Sequence, residues 1–67
     1  MEFSARLVDL LGPSATEEHL RCYLTEADGD FDGAVAAICR DVERMYGESV
    51  SRRDRREIAR ALSALAD

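Results

Sequence analysis

Three carboxylates and two glycines fall within six residues, Asp28-Gly29-Asp30-Phe31-Asp32-Gly33, and this is the stretch of the chain whose spacing most suggests ligand chemistry. D-x-D-x-D-G is the first half of a calcium-binding loop, in which alternate side-chain oxygens gather around a hard cation and the glycine permits a sharp turn. Val35 even supplies the usual apolar eighth position. The twelfth position argues against it. Ca²⁺ takes six to eight oxygens, two of them from a closing bidentate acid, and that position here is Cys39, whose thiol is a poor ligand for a hard cation. Helical spacing also groups Phe31 with Ala34, Val35 and Ile38 on one apolar stripe, away from an exposed coordination turn. The stretch therefore reads as an acidic helix-capping turn with no metal, and a degenerate calcium site is the lesser alternative.

The remaining reactive groups are few. His19 is the single histidine, and Cys22 and Cys39 lack CxxC spacing, so the ligands for a zinc site are too few. Both cysteines read as small, buried or half-buried hydrophobes with free thiols, with a disulfide across the helix pair as the alternative. His19, beside Glu18, reads as a surface or rim residue, and Tyr23 as core edge or surface contact. There is no Ser-His-acid arrangement and no glycine-rich phosphate loop, and 67 residues leave little room for a deep pocket. The expectation is a non-catalytic chain with no cofactor.

The elements that must position these residues are helical. From Leu20 to Val42 the apolar residues recur at i, i+3, i+4 and i+7 on both sides of Asp28-Gly29-Asp30, which predicts two helices packed across a tight turn. Gly29 suits a positive φ, and Asp30 suits the N-cap of the following helix, its carboxylate accepting from free backbone N–H groups. Upstream, Phe3, Leu7, Leu10 and Leu11 form a stripe on a first helix from Met1 to Leu11, ended by Gly12-Pro13. Ser14 or Thr16 caps a second helix that ends at Ala27. The third helix runs from Phe31 to Tyr46 and stops at Gly47, and Gly33 in its first turn suggests a close helix contact. Residues 47–51 are a linker, and Ser51 with Asp54 signals a fourth helix, residues 52–67, carrying Ile58, Leu62 and Leu65 on a narrow stripe. Its expected dock is the third helix around Val42 and Met45. If it does not cap that helix, the same stripe would serve self-association or a partner's groove.

Charge is divided unevenly along the chain. Residues 1–48 carry eleven acids against four arginines, a net of −7, whereas residues 49–67 carry five arginines against three acids. An acidic body argues against nucleic acid, which needs clustered cations, and favours a partner with a basic surface. No apolar run is long enough for a membrane span or a signal peptide. A soluble intracellular domain, cytoplasmic or nuclear, within a larger protein is the expectation.

The order of these features resembles the ubiquitin-associated (UBA) domain and its UBA-like relatives. A short helix, a Gly-containing turn and a second helix with Leu20 and Leu24 precede Ala27-Asp-Gly29-Asp30-Phe31-Asp-Gly-Ala34-Val35-Ala-Ala-Ile38, which is similar to that family's turn into its third helix. The likeness covers residues 3–42. The segment Leu11-Gly-Pro-Ser-Ala-Thr-Glu-Glu-His-Leu20 is similar to the shorter first loop of the UBA-like domains in adaptor proteins with UBX domains. A related fold occurs at the start of elongation factor Ts and in nascent-chain-binding factors, where ubiquitin is not the ligand. The resemblance implies a compact three-helix UBA-like bundle (residues 1–46), outside which the fourth helix read from the spacing is an additional C-terminal element, so that the expected fold is all-α. It also implies a module that binds ubiquitin or ubiquitin chains weakly through the loop between helices 1 and 2 and the end of helix 3. Carried over, the contacts are Leu11, Gly12, Pro13 and Cys39. Two positions depart from the family: Pro13 stands where an aromatic is usual, and Ile38-Cys39 replaces Leu-Leu. Both reduce the apolar area on which a small interface depends. The acidic body complements the basic surroundings of ubiquitin's apolar patch. A helical dimerisation or docking domain that does not bind ubiquitin is the competing reading.

Overall fold

A computed structural model describes residues 3–66. Met1 and Glu2, assigned above to the first helix, and Asp67, assigned to the fourth, lie outside the described residues. The chain folds as α1 (Ala5–Leu11), a single 3-10 turn (Gly12–Ser14), α2 (Glu17–Glu26), α3 (Phe31–Tyr46) and α4 (Arg52–Ala66). The architecture is an all-α bundle with a fourth helix, with no strand among the described residues. Its principal extents are 28 × 22 × 20 Å.

Side chains written into the sequence start three of the helices. Ser4 Oγ accepts from the Leu7 N–H at 3.1 Å, Thr16 Oγ1 from the His19 N–H at 3.1 Å, and Ser51 Oγ from the Asp54 N–H at 3.1 Å. Thr16 is thus the cap of α2, while Ser14 belongs to the 3-10 turn that Pro13 opens. Each hydroxyl satisfies one of the free donors of a first helical turn and contributes about 1 kcal/mol.

The cap of α3 differs from the expectation. Asp30 occupies the N-cap, but its side chain accepts no cap hydrogen bond. Its Oδ2 instead lies 2.7 Å from where a Cβ on Gly33 would stand. Gly33 therefore accommodates the Asp30 carboxylate and not, as its position in the sequence suggested, a neighbouring helix. The turn before α3 is left-handed at both Asp28 (φ 54°) and Gly29 (φ 80°). Gly47 (φ 73°) ends α3 in the left-handed conformation that glycine adopts without strain.

The core is one cluster to which every α-helix contributes: Leu7, Leu10 and Leu11 from α1, Leu20 from α2, Ala34, Val35, Ile38, Cys39 and Val42 from α3, and Ile58, Ala61, Leu62 and Leu65 from α4. α4 packs along α3 and also against α1 and α2. Ile58 and Leu62 are 0% exposed, and each such side chain contributes roughly 1.5–3 kcal/mol of hydrophobic stabilisation. Self-association through Ile58, Leu62 and Leu65 is therefore corrected, because the chain's own core consumes that stripe. The dock of α4 is corrected in part as well. Val42 is covered, whereas Met45, one turn further along α3, is 60% exposed.

Candidate partner-binding surface

The four residues carried over from the family resemblance separate into two pairs. Gly12 and Pro13 are exposed in the turn after α1, while Leu11 and Cys39 are turned into the core, 5% and 3% exposed. Gly12 holds φ 57°, ψ −130°, a backbone conformation open in practice to glycine alone, and its N–H caps α1 by donating to the Val8 carbonyl. Burial pushes the Cys39 thiol up from its ordinary value, with the Glu43 charge adding and Arg55 opposing. A thiol so placed stays protonated and is inert as a nucleophile. Cys22 is exposed, and both cysteines are free.

The large apolar side chains exposed among the described residues are Val8 (46%), Met45 (60%) and Tyr46 (54%). They sit on the middle of α1 and on the end of α3, the two helices that flank the expected site. Val8 stands one turn before Gly12, on the same side of α1. Met45 and Tyr46 form the last turn of α3. The two helices are joined by the Tyr46 hydroxyl, which donates to the Asp9 carbonyl at 2.8 Å.

Beside Met45 lies an open groove of about 430 Å³ between the 3-10 turn, α2 and α3. Leu11 and Ser14 line one side, His19 and Tyr23 another, and Asp41 and Met45 the third. Its polar wall is organised. The Tyr23 hydroxyl donates to the Asp41 carboxylate, and His19 meets Tyr23 edge-on, with ring centroids 5.4 Å apart and planes at 76°. Burial first, and then the Asp41 hydrogen bond and charge, push the Tyr23 phenol up to about 12. It therefore remains a neutral donor that holds α2 to α3.

Met45 and Val8 were not among the sequence-derived contacts, and each carried a faint signal. Val8 is an apolar residue off the Leu7–Leu10–Leu11 stripe, so it had no place in the core. Met45 continues the α3 stripe into the last turn, where it is left exposed. The acidic turn behaves as a helix junction. α3 is already helical at Phe31, so what would be loop positions four to twelve are turns of helix, and among the described residues no group of three or more His, Cys, Asp or Glu could hold a metal ion. No helix of the described residues is long and apolar enough to cross a membrane. No family model, no curated protein and no solved structure matches the chain.

Proposed function

We propose that this chain is a non-catalytic protein-interaction module whose partner is ubiquitin or a ubiquitin-like surface, held weakly at the junction of the α1–α2 turn and the end of α3. The observation that carries the reading is the placement of Val8, Met45 and Tyr46. Large apolar side chains left in water on an otherwise charged small domain mark an interaction surface when they lie on adjoining elements, and these lie on α1 and on the end of α3, which the Tyr46–Asp9 hydrogen bond ties together.

The resemblance to UBA-like domains supplies the partner, and the burial of Leu11 and Cys39 supports a contact set centred on exposed neighbours. Leu11 lines the groove beside Met45 together with Ile38, whereas Cys39 is buried in the core and acts through the packing of α3. Met45 is an adaptable contact, unbranched and polarizable, suited to a shallow apolar patch. The net −7 of residues 1–48 favours a partner whose apolar patch has a basic rim. Such a small patch supports weak, rapidly exchanging binding.

The test is an NMR titration of the isotopically labelled chain with unlabelled ubiquitin. Saturable shifts centred on residues 8–14 and 41–47 are expected. Absence of any response at millimolar ubiquitin would overturn the assignment of partner.

A further inference from the structure

A second surface lies on the outer side of α4 and has the opposite charge. With 3.6 residues per turn, Arg52, Arg53, Arg56 and Arg60 project within an arc of about 100°, facing away from the buried Asp54, Ile58, Leu62 and Leu65. All four are exposed. None pairs with an acid among the described residues, whose ion pairs are Arg6–Asp54 and Arg21–Glu17. The acid of the first turn, Asp54, is turned inward and held by Arg6, and Glu57 is half-buried at the flank. The stripe therefore offers four exposed guanidinium groups outside any ion pair among the described residues, with Glu57 as the one acid at its flank, over about two turns of a helix anchored by its other face.

We propose that this face of α4 docks an acidic segment of a partner protein. Guanidinium forks match carboxylates two bonds at a time, and spacing along a helix selects acids presented at a similar pitch. The rest of the molecule argues for a short acidic segment over a nucleic acid. Residues 1–48 carry a net −7 on a body no more than 28 Å across. A phosphate polymer running past the stripe would lie close to that charge, which screening over about 8 Å reduces without abolishing. A peptide that ends with the stripe avoids it. This surface is separate from the apolar junction of α1 and α3, and it stands or falls without ubiquitin.

The experiment is an NMR titration of the full chain with a ten-residue oligoglutamate, alongside an oligothymidylate of equal charge and a dilution series of the protein alone with mass measured in solution. Shifts on residues 52–60 with oligoglutamate are expected, the dissociation constant rising about tenfold or more between about 50 and 500 mM salt. The doubly reversed variant Arg56→Glu/Arg60→Glu should lose the shifts while keeping its helical circular dichroism. If that variant does not fold, Arg56→Gln/Arg60→Gln should still weaken binding severalfold. The proposal is overturned if residues 52–60 do not respond at low salt, if oligothymidylate binds more tightly, or if their shifts follow protein concentration together with a dimer mass, which would make a second copy the occupant.

Discussion

The guanidinium of Arg6 and the carboxylate of Asp54 meet as a two-pronged fork, Nε to Oδ1 at 2.9 Å and Nη2 to Oδ2 at 2.8 Å, joining α1 to α4 across 48 positions of sequence. The Asp54 side chain is largely covered, whereas that of Arg6 is more than half exposed. Removing the two partners should therefore have unequal effects. Arg6→Ala leaves a shielded carboxylate without its cation, while Asp54→Asn leaves a solvated guanidinium. In thermal melts Arg6→Ala should lower the midpoint more than Asp54→Asn, and the double variant should lie closer to Asp54→Asn than to the sum of the singles. Additive singles would show that the fork contributes no coupling.

The same pair sets an acid limit. The Arg6 hydrogen bonds hold the Asp54 carboxyl below its ordinary value of 3.8, against the opposing effect of burial. A carboxyl whose folded value is depressed stabilises the fold fully above its unfolded value, and that stability is lost as pH falls through the folded value. The difference in melting temperature between the parent and Arg6→Ala should stay level from pH 7 to about 5 and shrink below about 4. Arg6 remains charged throughout and adds nothing to the slope. A difference that shrank between pH 7 and 5 would assign the effect to another group.

Much of the scaffold was legible because it is local. The hydroxyl caps Thr16 and Ser51, the glycine stop at Gly47 and the Leu7–Leu10–Leu11 and Ile58–Leu62–Leu65 stripes all depend on residues within a few positions of one another. The Arg6–Asp54 fork was not legible, since periodicity carries no information about which helices meet. Burial was misjudged at Met45 for the same reason: a stripe predicts burial only where a neighbouring helix covers it, and Met45 is left 60% exposed at the end of α3. Leu11 and Cys39 show the converse. Their places in a family motif suggested contacts, yet Leu11 lies on the α1 stripe and Cys39 follows Ile38 on the inner side of α3. Asp30 had the residue type of a cap, but type does not fix the rotamer.

α4 should prove inseparable from the bundle. Among the described residues it supplies four of the thirteen buried apolar residues of the core. Leu62→Ala should cost about 2–5 kcal/mol, a large share of the stability of a domain this small, at roughly 0.05–0.15 kcal/mol per residue. A chain ending at Tyr46 should lose cooperative urea unfolding. A truncated chain that melts cooperatively as a monomer would show that α1 to α3 suffice.

Two glycines should respond to alanine in opposite directions. Gly12 has open space around it, so a methyl group there meets nothing, but its φ of 57° with ψ of −130° excludes other residues. Gly12→Ala should destabilise by about 1–3 kcal/mol through backbone strain. Gly33 is helical, and the atoms a methyl would meet belong to the exposed, movable Asp30 side chain. Gly33→Ala should be neutral or gain up to about 1 kcal/mol from helix propensity. Urea midpoints measure both, and a destabilised Gly33→Ala would mean that the Asp30 carboxylate is held where it lies.

The binding surface can be separated from the core that supports it. Met45 and Val8 are solvated, so Met45→Asp and Val8→Asp should leave the circular dichroism spectrum and urea midpoint within about 0.5 kcal/mol of the parent. If the apolar junction holds ubiquitin, both should weaken binding by tenfold or more, each through a charge placed where apolar contact is needed. Cys39→Asp should fail differently. At 3% exposure the new carboxylate is forced into the core, and the expected result is lost helical signal along with lost binding. Comparing the variants distinguishes the two causes, since a folded Met45→Asp that still binds ubiquitin as tightly as the parent would remove this surface from consideration. A Cys39→Asp chain that stays folded and selectively loses binding would return Cys39 to the interface as a direct contact.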